Sequence, residues 1–113
     1  MPFSLTGLRD LFLGMRSTWG NKVDGPMLWG YFFLDPSKEK LGRLADHLVA
    51  QGYRVVRLED TDSEDGDAIL HVEKVEVHTP LTLSKRNEEL EALANRFGVE
   101  SYDGMDCGLV PEG

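Results

Sequence analysis

The chain has 113 residues, of which 41% are hydrophobic and 28% charged, a usage that supports one globular domain around one core and excludes an intrinsically disordered chain. Twenty acidic residues stand against twelve basic ones, a formal net charge of −8. That excess repels phosphate backbones and anionic lipid surfaces, so direct nucleic-acid or membrane binding is disfavoured, while encounter with a basic partner is hastened.

A single cysteine, Cys107, leaves no internal disulfide, and no Cys/His set has the spacing of a zinc site. A reducing, cytoplasmic setting is expected. The apolar stretch Phe3–Met15 is interrupted by Arg9 and Asp10, and so it reads neither as a signal peptide nor as a membrane span.

In chain order, Ser4 caps a first helix in which Leu5, Leu8, Leu11, Phe12 and Met15 share one face, with an end near Ser17. Asn21–Pro26 has the turn chemistry of a linker, so residues 1–26 read as an amphipathic helix plus linker ahead of a main domain at 27–108. The run Met27–Leu34 predicts a central strand buried on both faces. Asp35 and Pro36 read as the cap and first position of a second helix, with Leu41, Leu44, Ala45, Leu48 and Val49 as its buried stripe before Gly52.

Tyr53–Glu59 predicts another strand and the acidic Asp60–Gly66 an exposed loop. Beyond it, Ala68, Leu70 and Val72 share a face, but Val75 and Val77 fall on the opposite parity, which predicts a β-bulge between Glu73 and Lys74. Thr79-Pro80 opens a third helix carrying Leu83, Leu90, Leu93, Ala94 and Phe97, with Asn87 on its inner face, ending at Gly98. Val99–Gly104 predicts a last strand whose Tyr-Asp-Gly marks a turn, before a short tail at 109–113.

From Met27 onward the order is β-α-β-β-α-β, an α+β, ferredoxin-like sandwich with an additional N-terminal amphipathic helix. Two helices cover one sheet face, and the N-terminal helix is expected to fold over the other. A second copy or a partner protein are the alternative covers.

Chemistry-bearing residues are sparse. His71 and Glu73 share one strand face and Glu76 and His78 another, a pattern met far more often on a solvated charged strand than at an acid–base or metal site. Asp103 and Asp106 flank Gly104-Met105 as in a turn, with too few oxygens for a calcium loop. Asp106 beside Cys107 works against a reactive thiolate, and Asn87 reads as a structural amide. No phosphate loop, nucleophile elbow or paired-histidine motif is found, and no catalytic residue, metal or cofactor is expected.

The segment Leu90–Gly104, ending in Tyr102-Asp103-Gly104, together with Trp29–Phe33, Gly52–Val55 and Val72–Glu76, resembles the regulator of ribonuclease E activity B family. Met105 departs from it, standing where that family usually has tryptophan. The resemblance implies a non-enzymatic acidic inhibitor that binds ribonuclease E and so alters messenger RNA turnover. On this reading the chain binds a protein through Trp29, Tyr31, Tyr102 and Asp103. A small-molecule or enzymatic site on the open sheet face, around His71, Glu73 and His78, is the alternative. A homodimer whose open sheet faces cover each other is a third reading.

Overall fold

The computed structural model describes residues 4–61 and 66–111. Its elements are α1 (Leu5–Trp19), a 3-10 helix (Gly20–Asp24), β1 (Met27–Asp35), α2 (Lys38–Ala50), β2 (Arg54–Asp60), β3 (Ala68–Glu76), α3 (Pro80–Arg96) and β4 (Ser101–Gly108). The strands form one antiparallel sheet in the order β2-β3-β1-β4. That is the order a split βαβ pair produces when both helices cross over the same face, and it realises the expected α+β sandwich with an added N-terminal helix.

Alternation along β1 organises the core. Met27, Trp29, Tyr31, Phe33 and Asp35 are all at or below 2% exposure on the helix-covered face, where Val72, Leu70 and Ala68 of β3 lie opposite Tyr31, Phe33 and Asp35. The helices close this face with Leu41, Leu44, Ala45 and Leu48 from α2 and Leu83, Asn87, Leu90 and Ala94 from α3. Each fully buried Leu contributes roughly 1.5–3 kcal/mol of transfer free energy. On the other face Leu28, Phe32 and Leu34 are only half-buried, so the expected two-sided burial of β1 holds on one side. Val49 turns to solvent, outside the apolar stripe of α2.

α1 does not cover the open face as expected. Leu8, Phe12 and Met15 join the same core as the β1 residues, and the Phe12 ring meets Trp29 at 5.8 Å between centroids. Trp29 points to the helix side, so α1 extends the helix layer beside α3. The expected linker is instead a 3-10 helix with Val23 fully buried in that core. Bidentate hydrogen bonds from Arg16 to Asp24 close the α1 end upon it.

Asp35 ends β1 rather than capping α2. Its side chain lies on the buried face, where Oδ2 accepts from the Ser37 amide at 2.7 Å and Oδ1 from the Glu100 amide at 2.8 Å. Ser37 is the cap, accepting from the Lys40 amide at 3.1 Å. Thr79 caps α3 as expected, in a reciprocal box with Thr82.

No bulge interrupts β3, which pairs with β1 without a break from Ala68 to Glu76. Val75 is 49% exposed. The parity slip in the sequence comes from apolar residues on both faces of a straight strand. The irregularities fall in the two edge strands: the β2 register on β3 shifts past Val56 and the β4 register on β1 past Asp103. Tyr102-Asp103-Gly104 is therefore a bulge within β4, not a turn, and the strand runs on through Asp106 to Gly108. Gly104 takes a φ of 148°, a conformation that favours glycine. Of the acidic loop expected over Asp60–Gly66, residues 62–65 lie outside the described residues.

Asp35 thus ties the β1–α2 turn to the entry of β4. Replacing it by Ala strands two backbone amides, and a loss of about 2–4 kcal/mol is expected. The urea midpoint should drop at unchanged slope, with Asp35→Asn falling between; an unaltered Asp35→Ala midpoint would remove it from this role.

Candidate protein-binding site

The structure does not gather the four expected contact residues on a surface. Trp29 and Tyr31 have no exposure and Tyr102 has 7%, whereas Asp103 is exposed. The three aromatics face the helices because β1 and β4 pair with Tyr31 beside Met105, Trp29 beside Cys107 and Phe33 beside Tyr102. They are core residues and present nothing to a partner.

Their polar atoms are committed inside the fold. The Tyr102 hydroxyl donates to Asn87 Oδ1 at 2.5 Å, and Asn87 Nδ2 reaches Met105 Sδ at 3.6 Å, so this amide is structural, as the sequence suggests. Burial pushes the Tyr102 and Tyr31 hydroxyls above their ordinary pKa. The Trp29 indole N–H has no hydrogen-bond partner among the described residues.

A second cluster centres on Glu76. Arg86 Nη1 donates to Glu76 Oε1 at 2.5 Å and to the Tyr53 hydroxyl at 2.7 Å, while His78 Nε2 lies 3.2 Å from the same carboxylate oxygen. The other His78 nitrogen is 3.0 Å from Thr82 Oγ1, and Lys74 Nζ stands 4.9 Å from the Tyr53 ring centroid. Burial works to raise the Glu76 pKa, but hydrogen bonds to His78 and Arg86 outweigh it and hold the carboxyl at about 2. Tyr53 is pushed up to about 12, chiefly by burial. The cluster joins the entry to β2 with β3 and α3, and Arg86 and Tyr53, 33 positions apart, carried no local signal that could have paired them.

The residues of the expected ligand site are separated. His71 and Glu73 lie on the open sheet face, whereas His78 is buried on the helix side. His71 stacks on Phe32 at 4.2 Å, and burial lowers its pKa against the opposing pull of Asp106. Cys107 is pushed up to about 12, first by burial and then by Asp106, which keeps it a thiol. Among the described residues no group of three His, Cys, Asp or Glu could hold a metal ion. None of the described helices is long and apolar enough to cross a membrane.

One flank carries acids that form no ion pair among the described residues. Arg86 marks the side of α3 that faces β3, and helical phase turns Glu88 and Glu91 to the opposite side, above the edge strand β4. Glu91 is near enough to raise the pKa of Tyr102. Below them come Glu100 and Asp103, both exposed. None of these four acids makes an ion pair among the described residues. The phase of Glu88 and Glu91 relative to Asn87 was readable in the sequence; their position over β4 needed the fold.

Glu76 gives the cluster a pH signature. Because its folded pKa of about 2 lies below the ordinary 4.5, the stabilisation is complete above the ordinary value and drains as pH falls from there through about 2. Glu76→Gln should melt below wild type at pH 7, and the two melting curves should converge as the pH approaches about 2. Parallel curves across that range would show that Glu76 is not linked to folding.

A family model described as regulator of ribonuclease activity B matches residues 14–107. A comparison with curated proteins returns no match. The matched span begins inside α1 and takes in all four strands with α2 and α3, which is the whole sandwich and the acidic flank upon it. The chain belongs to the regulator of ribonuclease activity B family.

Proposed function

We propose that this protein is a non-enzymatic regulator that binds a ribonuclease, ribonuclease E being the target its family resemblance implies, and so modulates RNA turnover in the cytoplasm by protein contact. The observation that carries the reading is the unpaired acidic flank of Glu88, Glu91, Glu100 and Asp103 on a chain of net charge −8. Enzymes that act on RNA expose basic surfaces to hold phosphate, and an acidic flank competes for those surfaces and speeds encounter. The flank repels RNA itself, so regulation passes through the enzyme rather than through its substrate.

Of the expected contact residues Asp103 alone keeps the role. Asp103 is the exposed residue left over by the register shift in the edge strand β4. Trp29, Tyr31 and Tyr102 act indirectly by holding α3 and β4 together.

The test is binding of purified ribonuclease E to the full chain by surface-immobilised titration, with Asp103→Lys and Glu88→Lys/Glu91→Lys compared with wild type. Asp103 and Glu88 are exposed and Glu91 is half-buried, and melting temperatures check that each variant is folded. Each variant should weaken binding by roughly tenfold or more and flatten its salt dependence. Wild-type binding that neither variant changes would refute the flank as the contact, and no wild-type binding would refute ribonuclease E as the target.

A further inference from the structure

Among the described residues no helix covers the open sheet face, which Pro111 of the tail approaches only at the Leu28 and Val75 end, and strand register lays its side chains out in rows. One row across β2, β3, β1 and β4 is Arg54, Glu73, Gly30 and Asp106. The next is Arg57, His71, Phe32 and Gly104, and the third is Glu59, Ile69, Leu34 and Ser101. The rows carry long charged side chains at the β2 edge and shorter ones at the β4 edge, and the second and third are aromatic or apolar between. The face is also flat at Gly30, where Asp106 folds over the strand so closely that a Cβ would overlap its carboxylate and stand 2.8 Å from His71 Nε2.

We propose that two copies of this chain pack open face to open face about a two-fold axis parallel to the strands. That operation reverses each row upon itself. The long β2-edge side chains of one copy then lie over the shorter β4-edge residues of the other: Arg54 over Asp106, Arg57 over Gly104, Glu59 over Ser101. In the middle Ile69 meets Leu34 and His71 meets Phe32, so that half-buried apolar surface on both copies is withdrawn from water. Sheets packed face to face stand about 10 Å apart with strands within about 30° of each other, which leaves room for one interdigitated layer. An axis across the strands would instead set the β2 edges on each other and crowd Arg54 and Arg57 together.

Charge selects a second copy over a foreign partner. Arg54 is ion-paired to Glu73 and Arg57 to Glu59 within the face, so molecules of net charge −8 meet on a side that is nearly neutral. The Arg54 side chain is 76% exposed beside Glu73, and Asp106 has no ion-pair partner among the described residues until the second copy brings Arg54 over it. The interface takes Ser101, Gly104 and Asp106 of β4 but none of the four acids of the flank, and its test reads self-association alone, apart from the ribonuclease contact.

Sedimentation equilibrium of the full chain from micromolar to millimolar concentration tests this, with melting temperatures confirming that each variant is folded. Wild type should reach twice the monomer mass. Arg54→Asp and Asp106→Arg should each raise the dimer dissociation constant roughly tenfold, since each puts two like-charge pairs in the interface. An equimolar mixture of these two variants should recover the wild-type constant. In the mixed dimer the carboxylate introduced into one copy faces the guanidinium introduced into the other, and the opposite end keeps its native Arg54 and Asp106 pair. A purely structural role within one chain gives no recovery on mixing. Wild type that stays monomeric at millimolar concentration, or single variants that dimerise as wild type does, would overturn the proposal.

Discussion

Everything in this fold hangs on the two-residue period of β1. Because alternate side chains of a strand point to opposite faces, Met27, Trp29, Tyr31, Phe33 and Asp35 all enter the helix side and Leu28, Gly30, Phe32 and Leu34 all enter the other. The strand sits between β3 and β4, so its phase is copied into both. A one-residue slip would expose three fully buried aromatics and drive the Asp35 carboxylate out of reach of the amides it holds.

That phase also decides what the aromatic residues can do. Trp29, Tyr31 and Tyr102 look like interface residues in the sequence because aromatic side chains dominate the contacts that carry binding energy. Here they dominate the inside. Phe12 and His78 pack on Trp29, Tyr53 on Tyr31, and Phe33 on Tyr102. With these aromatic rings committed to the core, none of the three is offered to a partner. The character of the surface varies by side: acids without partners along α3 and β4, and paired charges around an apolar centre on the open face. One small sandwich therefore offers two surfaces of different chemistry that need not compete.

Buried polar groups set the register of α3 on the sheet. Asn87 and Arg86 are adjacent in sequence but face different strands, the amide meeting Tyr102 on β4 and the guanidinium meeting Glu76 on β3 and Tyr53 beside β2. Rotating or sliding the helix would break both sets at once and leave a charge without a partner in a half-buried site, a larger penalty than loss of a few apolar contacts. Apolar packing holds α3 on the sheet; these bonds choose its angle.

By itself the sequence determined the element order, the inner faces of α2 and α3, the Thr79 cap and the inward Asn87, because each depends on a local period or on chemistry within a few residues. It also carried the Tyr102-Asp103-Gly104 signature of the family. Tertiary structure decided the rest. Ser37 rather than Asp35 caps α2 because the Asp35 carboxylate also binds the Glu100 amide, 65 positions away. Val75 breaks the alternation of β3 without a bulge because that strand has apolar residues on both faces, and the bulges lie in the edge strands β2 and β4. α1 carries an amphipathic stripe that fits any apolar surface, and only the Trp29 ring that the sheet presents beside α3 fixed where it docks. Periodicity names the face that must be buried; which surface buries it depends on contacts between residues that are distant in the chain.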